Sequence, residues 1–335
     1  MYEDHYGLTG RPFALTPDPR FWFETATHRK AMAYLGFGLT QGEGFIVITG
    51  EIGSGKTTLV GHLMATIDRE RQHVIQIVST QVEGDDLLRL VASGLGIASA
   101  GLEKAQVLEA IELELHAVSR SGKRTLLIVD EAQALPVSAL EELRMLSNFQ
   151  AGGQALVQIF LLGQPEFRER LHGSDALEQL RQRVIAVHHL EPMQPEEVEP
   201  YMIHRLSLVG WRGRPDFTAE AVDALYQGSS GMPRVLNQIA ARVLLYGAIE
   251  NMELIDADTV AAVIDDMKTD APETEAARVM PVASGDHDEL VHRIAMLEAR
   301  VEEQNTALRR VLTLLVDWVE ADTVRHDGAR DSSVA

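Results

Sequence analysis

A lysine, a hydroxyl and two adjacent carboxylates stand in this chain at the places a phosphate-transferring site needs them. Gly50-Glu51-Ile52-Gly53-Ser54-Gly55-Lys56-Thr57-Thr58 fits G-x4-G-K-[ST] and lies directly behind the apolar run Phe45-Ile46-Val47-Ile48, the strand-to-helix setting of a phosphate-binding loop. Its glycines let the backbone curl around a polyphosphate, with N–H groups and a helix N-terminus aimed at the anion. Lys56 adds a point charge for the β- and γ-phosphates, and Thr57 a hydroxyl ligand for Mg²⁺. An ordinary glycine turn before a helix is the bland alternative. Leu126-Leu127-Ile128-Val129-Asp130-Glu131 supplies the rest of a hydrolytic centre at the end of a second apolar run. Asp130 would hold Mg²⁺ opposite Thr57, and Glu131 would polarise the attacking water.

Three further groups are candidates for the same crevice. Gln164, after Leu161-Leu162-Gly163, would contact the γ-phosphate or the water, or merely cap a loop. Arg183, with Arg181 as second choice, precedes the last core strand and would neutralise transition-state charge in a neighbouring subunit, unless it makes a surface ion pair. Arg234 opens a helix behind Gly231-Met232-Pro233 and would reach back over the γ-phosphate. Asp18, His28 and Pro12-Phe13 are placed to line an adenine pocket. His188-His189 and the other histidines lack metal-ligand spacing and read as structural, while Asp85-Asp86 and Glu196-Glu197 read as helix-start charges.

These residues need a scaffold, and the chain alternates apolar runs with amphipathic stretches: strands at 45–49, 73–79, 125–130, 155–162 and 184–189, and helices at 56–70, near 84–95, 103–120, 137–149 and 166–180. Such alternation predicts an α/β fold, a P-loop core with a parallel sheet and helices on both faces. The expected organisation is an N-terminal segment over 1–42 packed on the core, with a helix over Thr27–Leu39; a core over 43–190; a small all-helical domain over 191–268, without strands; and a linker over 269–286. Over 287–320, Leu290, Ile294, Leu297, Val301, Gln304, Leu308, Val311, Leu315 and Trp318 keep alternating spacings of four and three, a coiled-coil seam with one polar position. A single helix folded back on the core is the other reading. A disordered tail is expected over 321–335.

Composition narrows the function classes. The 335 residues carry 30 Lys and Arg against 50 Asp and Glu, a formal charge of −20, which counts against a nucleic-acid partner because phosphate backbones reward clustered cations. There is no cysteine, hence no disulfide and no thiolate chemistry. No membrane-spanning run or signal peptide is read in the sequence, so the expected location is the cytoplasm, with recruitment to the inner membrane through partners as an extension.

In this order the motifs resemble those of AAA+ ATPases of the ExeA or general secretion pathway protein A family, from about Tyr6 to Asp266. They look most like the ATPase associated with the exosortase (XrtA, PEP-CTERM) and exopolysaccharide system. The resemblance is carried by Tyr6-Gly7-Leu8, Pro12-Phe13, Pro17-Asp18-Pro19, Gly42 to Phe45 leading into the loop, Asp130-Glu131-Ala132-Gln133, Glu142 to Phe149, Gly163-Gln164-Pro165-Glu166 and Leu180 to Val184. It implies an AAA+ core with a helical lid, ATP and Mg²⁺ as ligands, sensor and finger roles for Gln164, Arg183 and Arg234, a homo-oligomer, and a part in envelope secretion or polysaccharide export. Ala134 and Val235 depart from it, where the family often carries asparagine and a second basic residue; both bear on lid contacts. The membrane segment of the secretion-pathway members is missing, and the expected coiled coil takes its place. A DNA-associated ATPase regulator of the transposition type is the alternative.

Overall fold

The computed structural model describes residues 2–78 and 82–270, all within a unit bounded by Met1 and Ala271. Of the linker expected over 269–286, residues 269–270 are instead the end of a helix, and the remainder, the seam over 287–320 and the tail lie outside the described residues. Five parallel strands form the central sheet: β1 (Phe45–Gly50), β2 (Gln72–Val78), β3 (Arg124–Asp130), β4 (Val157–Gly163) and β5 (Val184–Leu190), in the order β2-β3-β4-β1-β5. The inner strands are apolar at nearly every position because both faces are covered. Phe45, Val47, Leu127, Val129, Ile159 and Leu161 join one buried cluster, and the alternate residues Ile46, Ile48, Leu126, Ile128, Phe160 and Leu162 join another. Thr49 pairs with Gly163 and Gly50 with Leu190. This register brings the carboxyl ends of β1, β4 and β5 to one level, with β3 alongside, at the edge where open α/β sheets bind ligands.

Helices α1 (Tyr2–Tyr6), α2 (Ala26–Gln41), α3 (Lys56–Thr66), α4 (Gly84–Gly94), α5 (Lys104–Arg120), α6 (Val137–Leu146), α7 (Pro165–Gly173) and α8 (Glu178–Arg181) precede the lid, which is α9 (Pro195–Ser207), α10 (Ala219–Ser229), α11 (Pro233–Ile249) and α12 (Ala257–Asp270). α2 and α3 cover one face of the sheet, and α4 to α7 the other.

Three expectations are corrected. The helix expected over 166–180 is two helices: Ser174 is extended, and Arg181 Nη1 donates to Leu171 O and His172 O at 3.1 and 3.0 Å, capping α7. Within the lid, Asp216–Phe217 pairs in parallel with Leu254–Ile255, so strand structure does not vanish after Glu191. The third correction concerns the N-terminus. Tyr6, Leu8 and Phe13 are buried among the side chains of α9, α10 and α11 rather than against the core. Thr9 N donates to Val209 O at 2.8 Å and the Tyr6 hydroxyl to Met252 O at 3.1 Å. Residues 14–25 therefore form a strap from the lid to α2 on the core.

Candidate functional site

The turn from β1 to α3 is built to face an anion. Gly55 caps α3 with φ +98°, and no side chain bonds the first helical N–H groups; such uncapped donors, at the positive end of the helix dipole, suit phosphate. The Ser54 hydroxyl is buried and unpartnered. Gly53 has φ +88°, and a Cβ there would lie 2.4 Å from Arg234 Cβ, so only glycine admits the lid this close. Contact is direct: Arg234 N donates to Gly53 O at 3.3 Å. Lys56 is 6% exposed, and its ammonium donates to Gly50 O at 2.7 Å and Glu51 O at 3.0 Å. Burial lowers its pKa, opposed by Glu131, Asp130, Glu51 and Glu166.

Across the cleft, Thr57 Oγ1 donates to Asp130 Oδ2 at 3.3 Å. A hydroxyl and a carboxylate in contact are an oxygen donor set for Mg²⁺, and with the uncapped α3 N-terminus the residues fit a magnesium nucleotide. Burial pushes the Asp130 carboxyl up, partly offset by the Glu131 N–H on its Oδ1 at 2.9 Å. Glu131 adopts φ +56°, ψ +40°, a left-handed backbone that costs a non-glycine residue roughly 1–2 kcal/mol. Gln133 Nε2 donates to its Oε2 at 2.5 Å and Gln164 Nε2 at 3.4 Å. Gln164 thus meets Glu131, as its place at the end of β4 suggests.

The remaining candidates are placed as follows. Arg183 precedes β5 at the amino end of the sheet. It is about 20 Å along the strand from the Gly50 level, taking roughly 3.3 Å per residue, and its Nη1 donates to Ser147 O and Oγ at 3.3 Å. Neither it nor Arg181 touches the loop of its own chain. His188 and His189 tie β5 to Thr27 and Thr49 at 3.1 Å. Glu197 does more than charge a helix start: its carboxylate accepts from Gln194 N and Ala26 N.

The strap walls the cleft opposite the loop. Asp18 and His28, expected at an adenine pocket, line the cleft together with Trp22 and Phe23, whereas Phe13 is in the lid core and does not. The lid adds Tyr201, Arg205 and Asn237. Arg205 is buried: Nε donates to Pro12 O at 2.6 Å, Nη1 to the Tyr201 hydroxyl at 2.9 Å and Nη2 to Ala14 O at 3.4 Å, and its guanidinium lies 4.7 Å from the Phe21 ring centre. Gln133, Trp22, Tyr201, Arg205 and Asn237 were not singled out by sequence; the four-residue step from Tyr201 to Arg205 on one helix face was the available signal.

His28 is packed against the loop: a Cβ on Gly55 would lie 2.7 Å from its Nε2, and its Nδ1 is 2.6 Å from Thr25 Oγ1. Burial lowers its pKa to about 4, opposed chiefly by Glu197. A histidine with a depressed folded pKa stabilises fully above its unfolded value near 6.5, and the stability is lost as pH falls toward 4. The swing is about 3 kcal/mol. Urea unfolding at pH 7.5 and pH 5 should therefore show a steeper loss in the parent chain than in His28→Gln; equal losses would refute the buried neutral imidazole.

Comparison with known proteins agrees with this fold. Residues 39–171 match the AAA domain family. Over 248 residues the chain is 35% identical to general secretion pathway protein A of Aeromonas hydrophila, a stretch covering 73% of this chain and 44% of that protein; the chain thus matches less than half the length of this relative. The fold is similar to that of the ORC2 protein of Aeropyrum pernix in its ADPNP-ADP complexes, with TM-score 0.55 and 15% identity over 75% of this chain and 72% of the other. It is also similar to the Aeropyrum pernix ORC1 protein in complex with DNA, with TM-score 0.54 and 14% identity over 78% and 70%. At these identities the likeness shows the fold alone.

Proposed function

The chain carries an AAA domain on a P-loop NTPase fold, and from that premise we propose that it binds ATP with Mg²⁺ and hydrolyses it to drive or regulate an assembly for secretion or polysaccharide export at the cell envelope. One observation carries the hydrolytic reading: Thr57 and Asp130 are in contact, with Glu131 next in sequence at the same cleft. When bound, Mg²⁺ neutralises charge on the phosphates, and Thr57 and Asp130 would hold it. Lys56 and the N–H groups opening α3 orient the phosphates, Glu131 takes the proton of the attacking water at its carboxylate, and Gln164 aligns that water. Arg234 senses the γ-phosphate from the lid.

Similarity to general secretion pathway protein A supports a secretion role, and the motif resemblance alone points within it to the exosortase and exopolysaccharide type. A homo-oligomer follows, with Arg183 serving the nucleotide of a neighbouring copy, since it is far from its own, and the heptads over 287–320 reinforcing the assembly. Among the described residues no helix is long and apolar enough to cross a membrane; the proposed location is cytoplasmic, with inner-membrane recruitment through partners. The test is phosphate release by the purified full chain at low salt, with Mg²⁺ or EDTA, and with or without duplex DNA. Mg²⁺-dependent turnover indifferent to DNA is expected. No turnover with Mg²⁺ would refute hydrolysis, and strong stimulation by DNA would replace the export role with the DNA-associated one.

A further inference from the structure

The carboxylate of Glu131 is held at one oxygen by two amides, and one of them is held in turn. Gln133 Oε1 accepts the backbone N–H of Gln164 at 3.0 Å. That donor accepts nothing, so it fixes the carbonyl end of the Gln133 amide toward β4 and leaves Nε2 to face Glu131 Oε2 at 2.5 Å. The turn carrying Gln133 is anchored from α7, where Arg170 Nη1 donates to Gln133 O at 3.2 Å and Nη2 to Leu135 O at 2.6 Å. Space for the bridge depends on Gly163, where a Cβ would come within 3.2 Å of Gln133 Oε1. Glu131 meanwhile sits in a left-handed backbone that its own side chain does not favour.

We infer that Gln133 is a positioning residue for the hydrolytic step, a two-ended amide bridge that sets the direction of the Glu131 carboxylate from the turn between β4 and α7. This inference rests on the hydrolytic reading above. Gln164 reaches Glu131 twice, through its side chain and through its backbone by way of Gln133, so a shift at the start of α7 moves the base by both routes. Gln133 does not line the cleft; its effect passes through Glu131.

The test uses the full chain with Gln133→Met, which keeps the length and removes both bonds, and Gln133→Glu, which keeps the acceptor end and loses the donor. The expected result is a kcat lower by about 100-fold in each, the scale of an ångström of misplacement at a reacting group. KM and ATP affinity should stay within about threefold, because the groups that would hold the phosphates are untouched. In a Glu131→Gln background, Gln133→Met should lower the residual single-turnover rate no further. A kcat within threefold of the parent, a matching rise in KM, or an added loss in that background would overturn the inference while leaving hydrolysis established. Loss of the folded state in both single variants would make the bridge structural and overturn it as well. A parent chain without Mg²⁺-dependent turnover removes the reading and the inference together.

Discussion

Glu131→Gln should retain ATP and turn it over at least about 100-fold more slowly, the lower range for removing a general base. The substitution is isosteric, so α7 and the turn through Gln133 keep their packing, and Asp130 keeps the backbone N–H at 2.9 Å on its Oδ1. What is lost is the proton acceptor. An amide oxygen at position 131 can still receive the Gln133 and Gln164 side-chain N–H groups, so the left-handed turn survives. Nucleotide affinity, which the proposed site assigns to Lys56, Thr57 and the start of α3, should change by no more than about threefold. Calorimetric titration with ATP and single-turnover phosphate release measure the two quantities separately. Turnover within tenfold of the parent would sink the assignment of Glu131 as base.

Lys56→Ala should lose at least about 100-fold in ATP affinity, the loss of a charge-assisted contact in a water-poor site. Its ammonium has no short ion pair; its bonds run to the carbonyls Gly50 O and Glu51 O. Removing it breaks no short ion pair but withdraws a favourable charge from the buried Asp130, so the variant without nucleotide should stay folded and melt a few degrees below the parent. ATP at 100 times its Kd adds about 2.7 kcal/mol to the stability of a protein that binds it only when folded. The parent should show that gain as a rise in melting temperature, and Lys56→Ala should not. An undiminished rise in the variant would contradict the phosphate-loop assignment.

How much was legible follows from how local each signal is. Phe45–Ile48 and Leu126–Val129 are unbroken apolar runs because both faces of their strands are covered, and the candidate site residues follow each run within ten positions. Thr57, Asp130 and Glu131 could thus be grouped before any coordinates. Tyr6, Leu8 and Phe13 have no periodicity; their partners are on α9 to α11, joined by tertiary packing alone. Arg205 carries no sequence signal for burial, yet it is buried, with Pro12 and Ala14 supplying acceptors. The hairpin of Gln150–Ala151 and Gln154–Ala155 turns on Gly152-Gly153, both at positive φ, a pattern in plain sight that the longer apolar runs overshadowed. Gln133 was visible only as a letter of a motif, since its two bonds depend on a turn conformation that residue type does not specify.

The strap makes the lid doubly tethered. The chain crosses between lid and core once near Glu24–Ala26 and again near Glu191–Gln194, and the two crossings are fastened side by side: Glu191 N donates to Thr27 Oγ1 at 3.1 Å, and Ala26 N to Glu197 Oε1 at 2.7 Å. One tether would let the lid swivel like a ball on a cord. Two adjacent tethers act as a pair of hinge pins, confining it to rotation about a single line. On the proposed hydrolysis, a change at the loop would reach the lid as a turn about that line.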